Sequence, residues 1–129
     1  SSFVILHQNS NAAIDSLVLC KFTNMGVADE YFARVLSAVT GIQYTTGDMI
    51  KVGERVWNLE RLYNLREGFS RKDDTLPPRL LTEAPTDGPS QGWVVQLEPM
   101  LKEYYRGRGW DENGVPTPKK LQELSLADL

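Results

Sequence analysis

The sequence has very few side chains that bind soft metals, because it contains one cysteine, Cys20, and one histidine, His7, among 129 residues. A single thiol excludes an intrachain disulfide, and the lack of a cysteine framework is typical of a reducing compartment, so we expect a cytoplasmic location. A structural zinc site or a cubane iron–sulfur cluster needs about four ligands. This chain therefore cannot close either centre alone, and any cluster must be shared with other sequence.

Long apolar runs and an excess of basic residues are also lacking. The longest uninterrupted apolar runs, 3–6 and 17–20, fall far below the roughly 20 residues that a membrane-spanning helix needs. The net charge of −3 gives no basic surface for nucleic acid. We therefore expect neither a membrane nor a nucleic-acid partner. The chain begins at Ser1 without a methionine or a signal-peptide pattern, and we expect it to be a fragment of a longer protein.

Helical periodicity runs along most of the chain, and no segment alternates like a strand over a useful length. Gly41 suits a left-handed C-terminal cap, and Thr45 with Asp48 suits a capping box before the longest helix, which should be central. The sequence predicts an all-α, irregular bundle of about five helices in one domain, 1–129. The predicted helices are 3–17, 27–40, a long helix from the cap Thr45 to a stop at Gly68, 92–106, and 118–124.

The long central helix is expected to act mainly as scaffold. Its apolar residues, such as Leu59 and Leu62, are predicted to pack, while Arg55, Glu60 and Arg61 can pair across turns. Its role would then be structural.

A long proline-containing loop interrupts the helical pattern at 70–91, with room for a short turn around 79–81. Such a loop is usually functional or packed on a neighbour, so we expect it to contact other parts of a larger protein. Pro99, inside the helix predicted at 92–106, should either kink that helix or mark its true start.

Conventional catalytic motifs are missing from the sequence. A catalytic histidine is usually oriented by a partner residue, and the sequence indicates no such partner for His7. Asp15 and Cys20 offer a different chemistry. An aspartate accepts paired hydrogen bonds from planar NH groups, such as those of a pterin, and a thiolate binds iron. On spacing alone, the commoner alternative is that Cys20 is a small buried hydrophobe.

Three separated blocks give these residues a context. The strings DSLVLCKF (15–22), GERVWNLERLYNLREGF (53–69) and RGWDENGVPTP (108–118) closely resemble the C-terminal part of the aldehyde ferredoxin oxidoreductases, the tungsten-pterin enzymes. The resemblance extends in the right order from about Asn9 to the C-terminus. It implies a parent enzyme that oxidises an aldehyde to its carboxylic acid and passes two electrons through a [4Fe-4S] cluster to ferredoxin.

The resemblance also implies the cofactors and the partners. In the family, a sheet-bearing N-terminal domain and two helical domains enclose tungsten held by two pterin dithiolenes. This chain would be most of the last helical domain. Its partners would be the N-terminal and middle domains, ferredoxin and the aldehyde, and the isolated chain is expected to be inactive, with no cofactor bound.

Residue by residue, Asp15 matches the family's pterin-contacting aspartate, Leu19 matches the residue whose backbone lies against that pterin, and Cys20 matches the fourth cluster ligand. The other three cysteines belong to an upstream CxxCxxxC segment. Many family members have glycine where this chain has Val18, and since a Cβ disfavours positive φ, the turn is expected to differ slightly. Two alternatives stay open: a free-standing helical interaction module that has lost the cofactor, and part of a related tungsten enzyme such as a benzoyl-CoA reductase subunit.

Overall fold

The protein is all-α in the computed structural model, which describes residues 1–128 without the side chain of Lys21. The described residues form no strand, and one isolated bridge joins Trp110 to Pro116. The predicted fold class is therefore confirmed. None of the described helices combines the length and apolar character needed to cross a bilayer. The helices are α1 (Ser2–Ser16), α2 (Asp29–Thr40), α3 (Thr46–Arg66), α4 (Pro78–Thr82), α5 (Leu97–Arg108) and α6 (Pro118–Glu123), with 3₁₀ helices at Lys21–Met25 and Arg71–Asp73.

The predicted helix-end signals of α2 and α3 are confirmed. Gly41 follows α2 in the left-handed region, with φ +73°. At the start of α3, the Asp48 N–H donates to Thr45 Oγ1 at 3.1 Å, and the Thr45 N–H donates to Asp48 Oδ2 at 2.8 Å. This reciprocal pair is a capping box that satisfies two N–H groups at the start of the helix. The short turn expected around 79–81 is also present, as α4.

The helix predicted at 92–106 was placed wrongly, because α5 spans Leu97–Arg108. The residues before it are loop, where the Val95 N–H donates to the Leu80 carbonyl at 3.1 Å and so ties the segment to α4. Pro99 lies in the first turn of α5, where its missing N–H costs no intrahelical bond, so it marks the helix start and not a kink. Gly107 lies within the helix, and Gly109 ends it with φ +71°.

The core lies where α1 crosses α3 and α2 covers one side. The buried cluster consists of Ala13, Ile14, Phe32, Ala33 and Met49. At the crossing, a Cβ added to Gly53 would lie 1.7 Å from the carbonyl oxygen of Asn9. The backbones of α1 and α3 therefore approach as closely as they do because residue 53 has no side chain.

Arg61 does not pair along its own helix, so that expectation was wrong. Its Nη1 donates to Asp74 Oδ1 at 2.8 Å, and its Nε donates to the Gly114 carbonyl at 2.8 Å. The guanidinium is buried and lies 5.1 Å from the Trp110 ring, so tertiary contacts decide its partners. The prediction that Leu59 packs was also wrong for this chain, since the side chain is 48% exposed.

The first half of the proline-containing loop is attached to its own chain. Asp74 binds Arg61 on α3, and Arg71 Nη2 donates to Glu98 Oε2 on α5 at 2.7 Å. That the loop also contacts other parts of a larger protein stays a prediction. Several large apolar side chains are exposed in this chain, among them Val18, Phe22, Met25, Val35, Val39, Ile42 and Trp93.

Candidate functional site

The residues singled out from the sequence lie together at the C-terminal end of α1. Asp15 is exposed in the last turn, and the chain then leaves the helix through Leu17 and Val18. The Leu17 N–H donates to the Ile14 carbonyl and the Val18 N–H donates to the Asp15 carbonyl, each at 3.0 Å. The turn is therefore closed by the carbonyl groups that the end of the helix leaves unpaired.

Val18 adopts the conformation that glycine normally supplies after a helix. Its φ is +57°, in the left-handed region, although valine carries a branched Cβ. We expected the Cβ of Val18 to disfavour positive φ and so to change the turn slightly. The φ angle of Val18 shows no such change, because it is positive in spite of the side chain. That side chain is 92% exposed, so no packing within this chain offsets the steric cost.

Cys20 is exposed, so the alternative of a small buried hydrophobe is wrong. It begins the 3₁₀ helix Lys21–Met25, and its carbonyl accepts hydrogen bonds from the Thr23 N–H at 3.0 Å and from Thr23 Oγ1 at 2.6 Å. These bonds fix the peptide that follows the thiol. An accessible thiol on a fixed backbone is suitable for a metal ligand.

Two backbone amides beside the thiol have no hydrogen-bond partner among the described residues. Within the part of the chain that the structure describes, the N–H groups of Leu19 and Cys20 donate to no backbone or side-chain acceptor. Leu19 is 44% exposed, and Cys20 is exposed as well. Free donors next to a soft ligand are what an electron-rich sulfur or a pterin ring requires.

Asp15 also faces a groove between α1 and α3 of about 420 Å³. No side-chain hydrogen bond or ion pair to the Asp15 carboxylate is present among the described residues, so both oxygens are available as acceptors. The groove is lined by Gln8, Asn11, Ala12, Asp15, Ser16, Val56, Trp57 and Glu60.

The chain supplies one ligand for a metal and not a complete set. Among residues 1–128, no three histidine, cysteine, aspartate or glutamate side chains are grouped so that they could hold an ion. His7 is exposed and stacks on Phe3 with ring centroids 4.9 Å apart. Cys20 can therefore serve a cluster only together with ligands from elsewhere.

Arg108 holds α1 in place, and sequence reasoning gave it no role. The side chain is fully buried. Its Nη1 donates to Asn9 Oδ1 at 2.6 Å and its Nη2 donates to Gln8 Oε1 at 2.7 Å. Its guanidinium lies 5.3 Å from the ring centroids of both Trp57 and Tyr104. The only sequence signal was that Arg108 opens the third family-like block.

A second buried network joins the loop to the C-terminal segment. Asp74 accepts hydrogen bonds from Arg61 and also from the Tyr105 hydroxyl. Burial, and then the bond to Asp74, raise the pKa of Tyr105 far above its usual range, so Tyr105 stays protonated. Nearby, the Trp110 Nε1–H donates to Asn58 Oδ1 at 2.8 Å. Every polar group in this network is paired, so its role is structural.

A family model described as "Aldehyde ferredoxin oxidoreductase, domains 2 & 3" matches residues 1–126. The chain belongs to the aldehyde ferredoxin oxidoreductase family.

Several characterised relatives carry the same name. The chain is 45% identical over 127 residues to the tungsten-containing aldehyde ferredoxin oxidoreductase of Pyrococcus furiosus and 46% identical to that of Pyrococcus abyssi, over 98% of this chain in both cases. It is 31% identical to an aliphatic sulfonate oxidoreductase, WOR-like subunit, of Pyrococcus furiosus, over 91% of this chain and 20% of the relative. The chain spans about a fifth of the tungsten-containing relatives' length, 21% in each.

A solved structure has a similar fold. The active-site complex BamBC of benzoyl coenzyme A reductase, in complex with 1,5-dienoyl-CoA, superposes with a TM-score of 0.63 at 25% sequence identity. The match covers 79% of this chain and 14% of the other chain. The helical arrangement is therefore shared beyond the enzymes named for aldehyde oxidation.

Proposed function

We propose that this chain forms one wall of the tungstopterin and [4Fe-4S] site of an enzyme that oxidises aldehydes to carboxylic acids and passes the electrons to ferredoxin. The observation that carries the proposal is that the exposed Cys20 thiol, the amides of Leu19 and Cys20 and the exposed Asp15 carboxylate lie together at one end of α1, where these amides and this carboxylate have no partner among the described residues. Family membership over residues 1–126 supports the assignment of these groups to a cofactor.

The donor set fits the two groups that the family implies. Asp15 would accept hydrogen bonds from the pterin NH groups, the Leu19 backbone would lie against the same ring, and Cys20 would be the fourth ligand of the cluster. When bound, the tungsten centre would supply the two-electron oxidation chemistry and the cluster would supply a route for the electrons. The chain's own residues bind and orient these groups, and no described residue is assigned to proton transfer.

The single thiol requires partners. The other three cluster cysteines, from a CxxCxxxC segment, and the rest of the enclosure would come from the N-terminal and middle domains of the same enzyme, with residues 1–129 forming most of the last domain. Relatives about five times as long as this chain are consistent with that division. Ferredoxin and an aldehyde would be the external partners, and we place the enzyme in the cytoplasm.

Reduction of benzoyl-CoA by a related tungsten enzyme is the second candidate, supported by the structural likeness to the benzoyl coenzyme A reductase complex. Sequence identity favours aldehyde oxidation, since it is 45% to a relative named for that activity and 25% to the reductase. Aldehyde oxidation is therefore the better supported activity.

The test compares metal content and electron paramagnetic resonance in the longer enzyme that contains this chain. Cys20→Ser should abolish the signal of the [4Fe-4S] cluster, because the hydroxyl is a poor ligand for iron. Asp15→Asn should lower the tungsten and pterin content while the cluster signal remains, because an amide NH₂ faces the pterin donors. Ser90→Ala, an exposed hydroxyl in the proline-containing loop, serves as the control.

The chain alone provides a separate check. After anaerobic reconstitution it should bind no stoichiometric iron, because it offers a single thiol. About four irons per chain, or an unchanged cluster signal in the Cys20→Ser enzyme, would contradict a shared site.

A further inference from the structure

Val18 has a backbone conformation that its own side chain opposes. For an L-residue, the left-handed region costs roughly a factor of ten in the conformational equilibrium, because Cβ approaches the following carbonyl oxygen. A branched residue with φ +57° is a genuine outlier. Such conformations persist where the surroundings require them.

The left-handed conformation after a helix falls on glycine after α2 and α5, and on Ser125, with φ +55°, after α6. Gly41 after α2 has φ +73° and Gly109 after α5 has φ +71°. The corresponding position after α1 is Val18, where glycine would adopt the turn without steric cost. The valine side chain is 92% exposed, so nothing in this chain compensates for it.

The surroundings of Val18 suggest where compensation comes from. Leu19 is 44% exposed and Phe22 is 74% exposed, and Cys20 lies between them. The apolar surface is thus placed around the thiol that needs three further ligands. A protein segment that brought those ligands would cover this surface as well.

We propose that the Val18 side chain packs against the segment of the same enzyme that supplies the other cluster ligands. This inference rests on the proposed function. The relatives have about four fifths of their length outside the matched region, which is ample for such a segment. Full burial of a valine side chain is worth roughly a factor of ten or more in an equilibrium, enough to offset the turn.

The cost of the turn is measured in the chain alone by urea unfolding. Val18→Gly should lower the unfolding equilibrium constant about fivefold, because relief of the left-handed strain outweighs the greater freedom of glycine in the unfolded chain. The matched control is Gly41→Val, where the added Cβ has no atom within 4 Å. It should raise the constant about tenfold. A Val18→Gly variant less stable than the parent chain would overturn the inference.

The contact is measured in the longer enzyme, by thermal unfolding and by the rate at which the cluster signal is lost. Val18→Ala keeps the steric cost of the left-handed turn but removes the side-chain contact. It should therefore change the unfolding equilibrium constant of the chain alone by less than a factor of two. In the longer enzyme, it should speed the loss of the cluster signal about tenfold. Val18→Gly should stabilise the chain alone but not the longer enzyme, because in the enzyme the lost side-chain contact offsets the relief of strain. If each variant changes the stability of the longer enzyme as it changes that of the chain alone, Val18 contacts nothing outside this chain and the inference fails.

The two hypotheses fail separately. An enzyme without an iron–sulfur signal would refute the proposed function, while thermal unfolding of the Val18→Ala enzyme would still show whether residue 18 is covered. Conversely, a normal cluster signal in parent and variants, with unchanged rates of loss, would refute the role of Val18 and leave the site intact.

Discussion

Replacement of Gly53 by alanine tests most directly how the site is positioned. A Cβ at this position would lie 1.7 Å from the Asn9 carbonyl oxygen, and real Cβ contacts essentially never fall below 3.0 Å, so α1 must move by about 1.3 Å or more. The atom in the way belongs to the backbone, which cannot rotate aside as a side chain can. The whole helix, with Asp15 at its end, has to shift.

The magnitude follows from the contacts that this shift disrupts. The bond from Trp57 Nε1–H to the Gln8 carbonyl, 2.8 Å, and the bond from Arg108 to Asn9, 2.6 Å, would both be stretched beyond hydrogen-bond range. Each lost bond costs about 1 kcal/mol, and overpacking adds about 1–3 kcal/mol. Alanine favours the helix over glycine by about 1 kcal/mol, which offsets part of this loss. We expect a net loss of about 3 kcal/mol.

The assay is urea unfolding followed by circular dichroism, with two other glycine replacements as controls. A loss of about 3 kcal/mol lowers the urea midpoint by roughly 1–2 M. Gly107→Ala would place its Cβ 2.7 Å from Ile5 Cδ1, the movable end of a side chain, and should cost less than about 1 kcal/mol. Gly47→Ala has an ordinary 3.6 Å contact with Thr45 Oγ1 and should be neutral or stabilising. A Gly53→Ala midpoint equal to that of Gly47→Ala would refute the reasoning.

Two further substitutions probe the groups that hold the helices. Arg108→Leu should cost about 3 kcal/mol in urea unfolding, because the buried oxygens of Gln8 and Asn9 lose their donors; a loss below about 1 kcal/mol would contradict this. Thr45→Ala should cost about 1 kcal/mol at neutral pH through loss of the cap. Hydrogen bonds from the Thr45 side chain and backbone lower the pKa of Asp48 below its usual value, so this stabilisation is present above the ordinary carboxyl pKa and is lost as the pH falls through the lowered one. If the difference in free energy of unfolding between the parent chain and Thr45→Ala stays constant down to the lowest pH, ionised Asp48 does not contribute to the cap.

Helix-end signals that depend on a few neighbouring residues could be predicted from the sequence. The capping box at Thr45 and the glycine after α2 depend on a few neighbouring residues, and both predictions are confirmed. The start of α5 was misplaced, at 92 instead of Leu97, because the loop before it is held by a bond to α4 that no local pattern reveals. The roles assigned to Asp15 and Leu19 came from resemblance and stay predictions.

The sequence by itself determined the helical class, the ends of the central helix, and the position of Asp15 and Cys20 at a helix end, since each depends on residues a few positions apart. Tertiary structure alone decided that Cys20 is exposed, that Arg61 binds Asp74, and that Arg108 is buried beneath α1. The physical reason is that such contacts join residues up to 100 positions apart, as in the bond from Arg108 to Gln8. Periodicity reports which face of a helix is apolar, but the packing of α1, α3 and α5 selects the partner that each buried charge meets.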